Sequence, residues 1–141
     1  MLAEPDDVVL LDTSAAIAFV LEDHAAYGAT RRALQGRRLG LSGHAWFETY
    51  SVLTRLPAGL RRSPADVLRV LTQNFAASQF LGETETSALA GELPRLRISG
   101  GAVYDALVGA AARQHGRPLA SRDTRARAVY EALDVQIEAI E

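Results

Sequence analysis

The chain has 141 residues, a length that suits one domain, and its 48% hydrophobic content with mean hydropathy near zero is typical of a soluble globular protein. Cysteine is absent, which excludes disulfides, thiol chemistry and cysteine-bound zinc. All 15 basic residues are arginine and the net charge is −2, so lysine-dependent chemistry is excluded and the overall charge gives no signal for nucleic acid.

The acidic segment 1–7 precedes an apolar run only as long as a strand, so we expect neither a signal peptide nor a membrane span, and we expect a cytoplasmic protein. That run, Val8–Leu11, predicts a strand buried on both faces. Asp12 follows it, and Thr13 or Ser14 can cap the next helix. The carboxyl end of such a strand is where α/β proteins bind ligands. A purely capping role for Asp12 explains the same position equally well.

The next segments predict a short strand over 38–42 and a helix, capped by Ser42, that runs until Pro57. Aromatic and leucine residues recur along this helix at Trp46, Phe47, Tyr50 and Leu53. We expect this stripe to lie in the core or in an interface between subunits. Glu48 lies on another face of the helix, among small apolar residues, where solvent exposure is an equally good explanation for an acid.

A loop over 57–64 carries Arg61 and Arg62, and Ser63 before Pro64 predicts the start of a helix that extends to residue 74. Residues 78–81 predict a short third strand, and a further helix follows over about 84–93.

The segment from residue 102 to Gly116 is apolar almost all round, which predicts a helix buried against the sheet, with Asp105 in its first turn. Residues 118–120 predict a strand that ends just before Asp123, and a helix follows over 124–133. Capping of that helix is the simplest role for Asp123 taken alone. Residues 135–137 predict an edge strand.

Four acids therefore fall at positions that can meet at the carboxyl edge of a parallel sheet. Asp12 and Asp123 follow strands, whereas Glu48 and Asp105 lie in first turns of helices. Like charges ~4 Å apart repel by about 4 kcal/mol per pair at an effective dielectric near 20, so such a cluster calls for a divalent cation. Oxygen ligands without histidine or cysteine suit Mg²⁺ or Mn²⁺ better than zinc.

These residues resemble the PIN-domain ribonucleases, and among them the VapC toxins of bacterial toxin–antitoxin pairs. The resemblance covers nearly the whole chain as a single PIN domain, residues 1–141, and rests on the order and spacing of Leu-Leu-Asp-Thr-Ser, Glu48, Tyr-Asp-Ala-Leu-Val and Ser-Arg-Asp. It implies that the metal-binding and catalytic acids are Asp12, Glu48, Asp105 and Asp123, with supporting hydroxyls from Ser14 and Ser121. It also implies a three-layer α/β fold with about five parallel strands in the order 3-2-1-4-5 and helices on both faces.

The resemblance further implies a Mg²⁺- or Mn²⁺-dependent endoribonuclease that forms a homodimer and is inhibited by a small VapB-like antitoxin. We expect flanking phosphates of the RNA to be held by Arg61, Arg62 or Arg122. Two alternatives stay open: a PIN nuclease that acts in RNA processing or on DNA, and a catalytically silent PIN module that binds RNA or protein. A receiver domain, an Asp-x-Asp phosphatase and a P-loop enzyme are excluded, because the chain has no lysine and has Ser14 where the phosphatase needs an acid.

Overall fold

The architecture is that of a parallel sheet with helices on both faces. A computed structural model describes residues 7–141. Its elements are, in chain order, β1 (Val8–Leu11), α1 (Thr13–Val20), α2 (Tyr27–Ala33), β2 (Arg38–Leu41), α3 (Ala45–Thr54), α4 (Pro64–Asn74), α5 (Glu83–Arg95), α6 (Ala102–Gln114), β3 (Leu119–Ser121), α7 (Arg127–Ala132) and β4 (Ile137–Ala139). Within that part of the chain, no helix is both long enough and apolar enough to span a bilayer.

The four strands are ordered β2-β1-β3-β4, and every pair is parallel. β1 is central, with all four residues buried, as its unbroken apolar sequence predicts. The carboxyl ends of β1 and β3 lie side by side, because Leu11 pairs with Ala120. This register brings Asp12 and the segment after Ser121 to the same edge.

Alternate residues of β1 enter two separate cores. Val9 and Leu11 pack in a cluster that includes Phe19 of α1 and Leu53 of α3. Val8 and Leu10 pack on the opposite face, in a cluster with residues of α5, α6 and α7. The sheet is therefore covered on both sides, and the predicted three-layer α/β fold is confirmed.

The prediction of a strand over 78–81 is wrong, and the sheet has four strands rather than about five. Next to β2, residues 76–79 form two isolated bridges, at Ala76 and Gln79, and no continuous ladder. The Leu41 N–H donates to the side-chain Oγ of Ser78 at 2.9 Å rather than to a main-chain carbonyl, which interrupts the ladder. The observed order otherwise matches 3-2-1-4-5 with its third strand removed.

Two smaller predictions also differ from the structure. The edge strand lies at Ile137–Ala139 rather than 135–137, because a turn with Asp134 at φ 58° delays the return to extended backbone. Ser42 does not cap α3; its Oγ donates to the Val108 carbonyl at 2.7 Å, within the buried layer between α3 and α6.

The aromatic stripe of α3 is divided between core and surface. Leu53 is fully buried, Trp46 and Tyr50 are half-buried, and Phe47 is 58% exposed. Trp46 and Tyr50 stack with ring centroids 5.9 Å apart. Most of the stripe therefore belongs to this domain's own packing, and Phe47 is the member that is available to a partner.

Candidate metal centre

Asp12 is the most buried of the four acids, at 3% exposure. Its Oδ1 accepts the Ala15 N–H at 3.0 Å, so Asp12 itself, rather than Thr13 or Ser14, is the N-cap of α1. The same oxygen accepts the Ser14 hydroxyl at 2.6 Å. Capping is thus part of its role, but it engages only one of the two carboxylate oxygens.

The other oxygen of Asp12 has a partner that the sequence analysis missed. The hydroxyl of Tyr130, on α7, donates to Asp12 Oδ2 at 2.9 Å. Burial raises the pKa of Tyr130 and the charge of Asp12 adds to the shift, so the phenol stays protonated and acts as a donor. A β-carbon at Gly109 would lie 3.0 Å from the Tyr130 ring, and glycine there lets α7 pack close enough for this contact.

Ser14 links Asp12 to the segment that follows β3. Its Oγ donates to Asp12 and accepts the main-chain N–H of Arg122 at 2.9 Å. Ser121 accepts the Asp123 N–H at 3.1 Å. Both hydroxyls therefore make hydrogen bonds within the turns that carry Asp12 and Asp123.

Glu48 lies on α3 beside the first turn of α1. Its Oε2 accepts the Thr13 hydroxyl at 3.2 Å, and its Oε1 lies 3.4 Å from Nε2 of His44. Its side chain is 37% exposed, so the acid sits at the boundary between the α1–α3 contact and solvent.

Asp105 is half-buried at the start of α6, within range of the charges of the other three acids. Burial raises the pKa of its carboxyl above the ordinary value, and Arg125 opposes that shift. The negative charges of Asp123, Glu48 and Asp12 each raise the pKa further. Asp105 accepts no hydrogen bond from residues 7–141, so both oxygens of its carboxylate remain available to a ligand.

Asp123 turns toward the helix that follows it. Its Oδ1 accepts the N–H groups of Arg125 at 2.9 Å and Ala126 at 3.2 Å, and its Oδ2 lies 3.4 Å from the Arg125 guanidinium. The capping role expected for Asp123 alone is therefore present. Its negative charge also acts on Asp105, whose pKa it raises.

The donor set suits a hard cation, although the acids stand apart as they are. No three acidic or histidine side chains of residues 7–141 are close enough to hold a metal ion without moving. Asp12, Glu48 and Asp123 each engage a different local donor. The chemistry of the set, all oxygen, fits Mg²⁺ or Mn²⁺.

An open groove of about 690 Å³, within the usual range for ligand sites, is lined by two of the four acids, Glu48 and Asp105, whereas Asp12 and Asp123 do not line it. The other lining residues are His44, Phe47, Ser51, Val52, Arg55, Gly101, Tyr104 and Arg125. The groove thus joins an acidic patch to aromatic and basic side chains.

The three arginines proposed from sequence do not line this groove. Arg61 and Arg62 line a separate cleft with Leu21 and His24. Arg122 is half-buried, and its Nε has no hydrogen-bond partner within residues 7–141. Arg125, seen in the sequence only as one of many arginines, lines the groove with its side chain 82% exposed.

Comparison with known proteins gives the family of the chain and two named relatives. Residues 9–132 match the PIN domain family model. The chain is 46% identical to Ribonuclease VapC27 of Mycobacterium tuberculosis over 127 residues, 90% of this chain and 93% of that protein. It is 40% identical to Ribonuclease VapC40 of the same species over 131 residues, 92% of this chain and 96% of that protein.

Solved structures share the fold at low identity. FitAcB from Neisseria gonorrhoeae has a TM-score of 0.65 at 19% identity and covers 92% of this chain and 95% of its own. VapBC2 from Rickettsia felis, bound to a DNA fragment from its promoter, has a TM-score of 0.66 at 13% identity, with coverage of 95% and 99%. The family match and the two close relatives show that the chain belongs to the PIN domain family, in its VapC group.

Proposed function

We propose that this protein is a metal-dependent endoribonuclease, the toxin of a toxin–antitoxin pair, acting in the cytoplasm and inhibited by a small cognate antitoxin. The observation that carries the proposal is the charge of three acids acting on Asp105 beside an open groove, in a chain 46% identical to a protein named a ribonuclease. The solved structure of VapBC2 from Rickettsia felis, which shares this fold, supports an antitoxin as partner.

The acids divide the work by their surroundings. Asp12, buried and held at both oxygens, and Asp105, which accepts no hydrogen bond from residues 7–141, would be the direct metal ligands. Asp123 completes the ligand set, and Glu48 either holds a second ion or orients the attacking water. A bound Mg²⁺ or Mn²⁺ supplies an activated water and stabilises charge on the phosphate.

The remaining groups position substrate and ligands. Ser14 and Tyr130 fix the orientation of Asp12, as groups behind metal ligands commonly do. Arg125 is the arginine best placed to contact a phosphate beside the acids. Arg61, Arg62 and Arg122 remain candidates for more distant phosphates.

The test is to map new 5′ ends in cellular RNA after brief expression of the wild type and of Asp105→Asn. Discrete cleavage sites that are present only with the wild type support the ribonuclease, and coexpression with the antitoxin should abolish them. If the two proteins give the same ends, the ribonuclease assignment is wrong and a silent binding module takes its place. Cleavage confined to precursor transcripts would favour RNA processing.

We also propose that the protein forms a homodimer. The half-buried Trp46 and exposed Phe47 are the part of the α3 stripe that a second copy or the antitoxin can cover. Light scattering at tens of micromolar should give a dimer. A monomer whose antitoxin binding is unaffected by Trp46→Ala would contradict this proposal.

A further inference from the structure

The exposed aromatic ring of Tyr104 lines the groove next to Asp105. Tyr104 directly precedes Asp105 in the first turn of α6, lines the same groove and is 53% exposed. An exposed tyrosine in a groove is a surface on which another flat ring can stack.

The ring is held in place by its neighbours. His44 stacks on Tyr104 with ring centroids 5.2 Å apart and an interplanar angle of 23°. The imidazole is itself anchored, because its Nε2 lies 3.4 Å from Glu48. Tyr104 is therefore backed by a second ring and loses little side-chain freedom when a ligand binds.

The charges around this pair indicate what the ligand is. Arg55 and Arg125 line the groove together with Glu48 and Asp105, and both arginines are exposed. Aromatic rings next to arginines are the combination by which proteins hold single-stranded nucleic acid, with bases on the rings and phosphates on the guanidinium groups. A protein partner would gain from the apolar rings but has no general need for the arginines.

We propose that Tyr104, backed by His44, is a stacking subsite for an unpaired base of the RNA, next to the phosphate that is cleaved. The inference rests on the proposed ribonuclease function and adds the position and chemistry of one substrate contact. Because every base has a π face, the subsite selects unpaired over paired nucleotides rather than one sequence, with purines held more strongly.

The test measures binding of fluorescent heptamers of adenosine and of uridine in EDTA, where cleavage is blocked. Tyr104→Ala should weaken adenosine binding about 5- to 150-fold, the equivalent of ~1–3 kcal/mol per stacked base at 1.4 kcal/mol per tenfold, with a smaller loss for uridine. Tyr104→Phe, which keeps the ring, should bind like the wild type. Leu68→Ala, at a 50% exposed apolar residue on α4, is the matched control and should have no effect.

The salt dependence separates stacking from charge. Tyr104→Ala should leave the slope of log Kd against log salt unchanged, because no phosphate contact is removed. In Mg²⁺ its cleavage KM should rise more than its kcat falls. If Tyr104→Ala binds RNA as tightly as the wild type does, the stacking subsite is wrong, even if the wild type cleaves RNA. The subsite is also wrong if Tyr104→Ala loses affinity for the antitoxin but not for RNA. A wild type that neither binds nor cleaves RNA overturns the function and the subsite together.

Discussion

Replacing Tyr130 by phenylalanine removes one hydroxyl from the interior of the candidate site. That hydroxyl is the only group among residues 7–141 that donates to Asp12 Oδ2, and both residues are almost fully buried, at 1% and 3% exposure. A hydrogen bond to a charged group contributes about 1.5–3 kcal/mol. The metal-free variant should therefore lose roughly this much free energy of unfolding.

The same substitution, Tyr130→Phe, should also weaken the binding of a metal ion. With Oδ2 unpartnered, the Asp12 carboxylate is held only through Oδ1 by Ser14 and Ala15, so its orientation toward a cation is less fixed. Loss of a group behind a ligand typically costs 10- to 100-fold in metal affinity or activity.

Denaturant unfolding in EDTA and Mn²⁺ titration calorimetry measure the two effects separately. The matched control is Tyr50→Phe, because the Tyr50 hydroxyl has no hydrogen bond within residues 7–141. If Tyr130→Phe has the same free energy of unfolding and the same Mn²⁺ affinity as the wild type, the hydroxyl does not position Asp12. A loss of stability with unchanged Mn²⁺ affinity would limit Tyr130 to packing.

Three further changes have distinct expected results. Ser14→Ala should destabilise the protein by about 1–3 kcal/mol in denaturant and lower the cleavage rate, since it leaves the part-buried N–H of Arg122 unpaired and removes a donor to Asp12; unchanged unfolding would contradict this. The Arg113 guanidinium lowers the pKa of Glu92 below its ordinary 4.5, so their bond stabilises the fold above that pH and is lost as pH falls through the lowered value. Glu92→Gln should accordingly cost about 1 kcal/mol or less near neutral pH, and the gap to wild type should close in acid melts; a constant gap would refute it. Arg125→Gln should reduce the salt slope of RNA binding by about 0.7, the effect of one phosphate contact, and an unchanged slope would place the arginine outside the interface.

The sequence predicted what depends on local pattern. The unbroken apolar sequence Val8–Leu11 predicts a strand buried on both faces, because helices cover both sides of a parallel sheet. The structure confirms this, since the strand contributes side chains to a core on each face of the sheet. Asp12, Asp105 and Asp123 could be placed at one edge because their elements start or end there. The prediction of a strand over 78–81 was wrong because the Ser78 hydroxyl, and not a main-chain carbonyl, accepts the Leu41 N–H. Strand propensity carries no information about such a side-chain hydrogen bond.

The partners of the site depend on packing across the fold, which the sequence does not display. Tyr130 reaches Asp12 across 118 residues of chain, and α7 reads only as an amphipathic helix with a buried aromatic. The close approach allowed by Gly109 is equally invisible without the structure. The phosphate contacts predicted from sequence are Arg61, Arg62 or Arg122, whereas the groove is lined by single arginines that follow α3 and precede α7.

Thermal melts of the wild type and Asp105→Asn, in EDTA and with Mg²⁺ or Mn²⁺, test most directly whether four carboxylates form one metal site. Three like charges act on Asp105, so its neutralisation should leave the metal-free protein equally stable or more stable. Metal at 100 times its Kd should add ~2.7 kcal/mol to the wild type and much less to the variant. If the two proteins melt alike in all conditions, the carboxylates act only as caps and surface acids, and the metal-dependent mechanism is wrong.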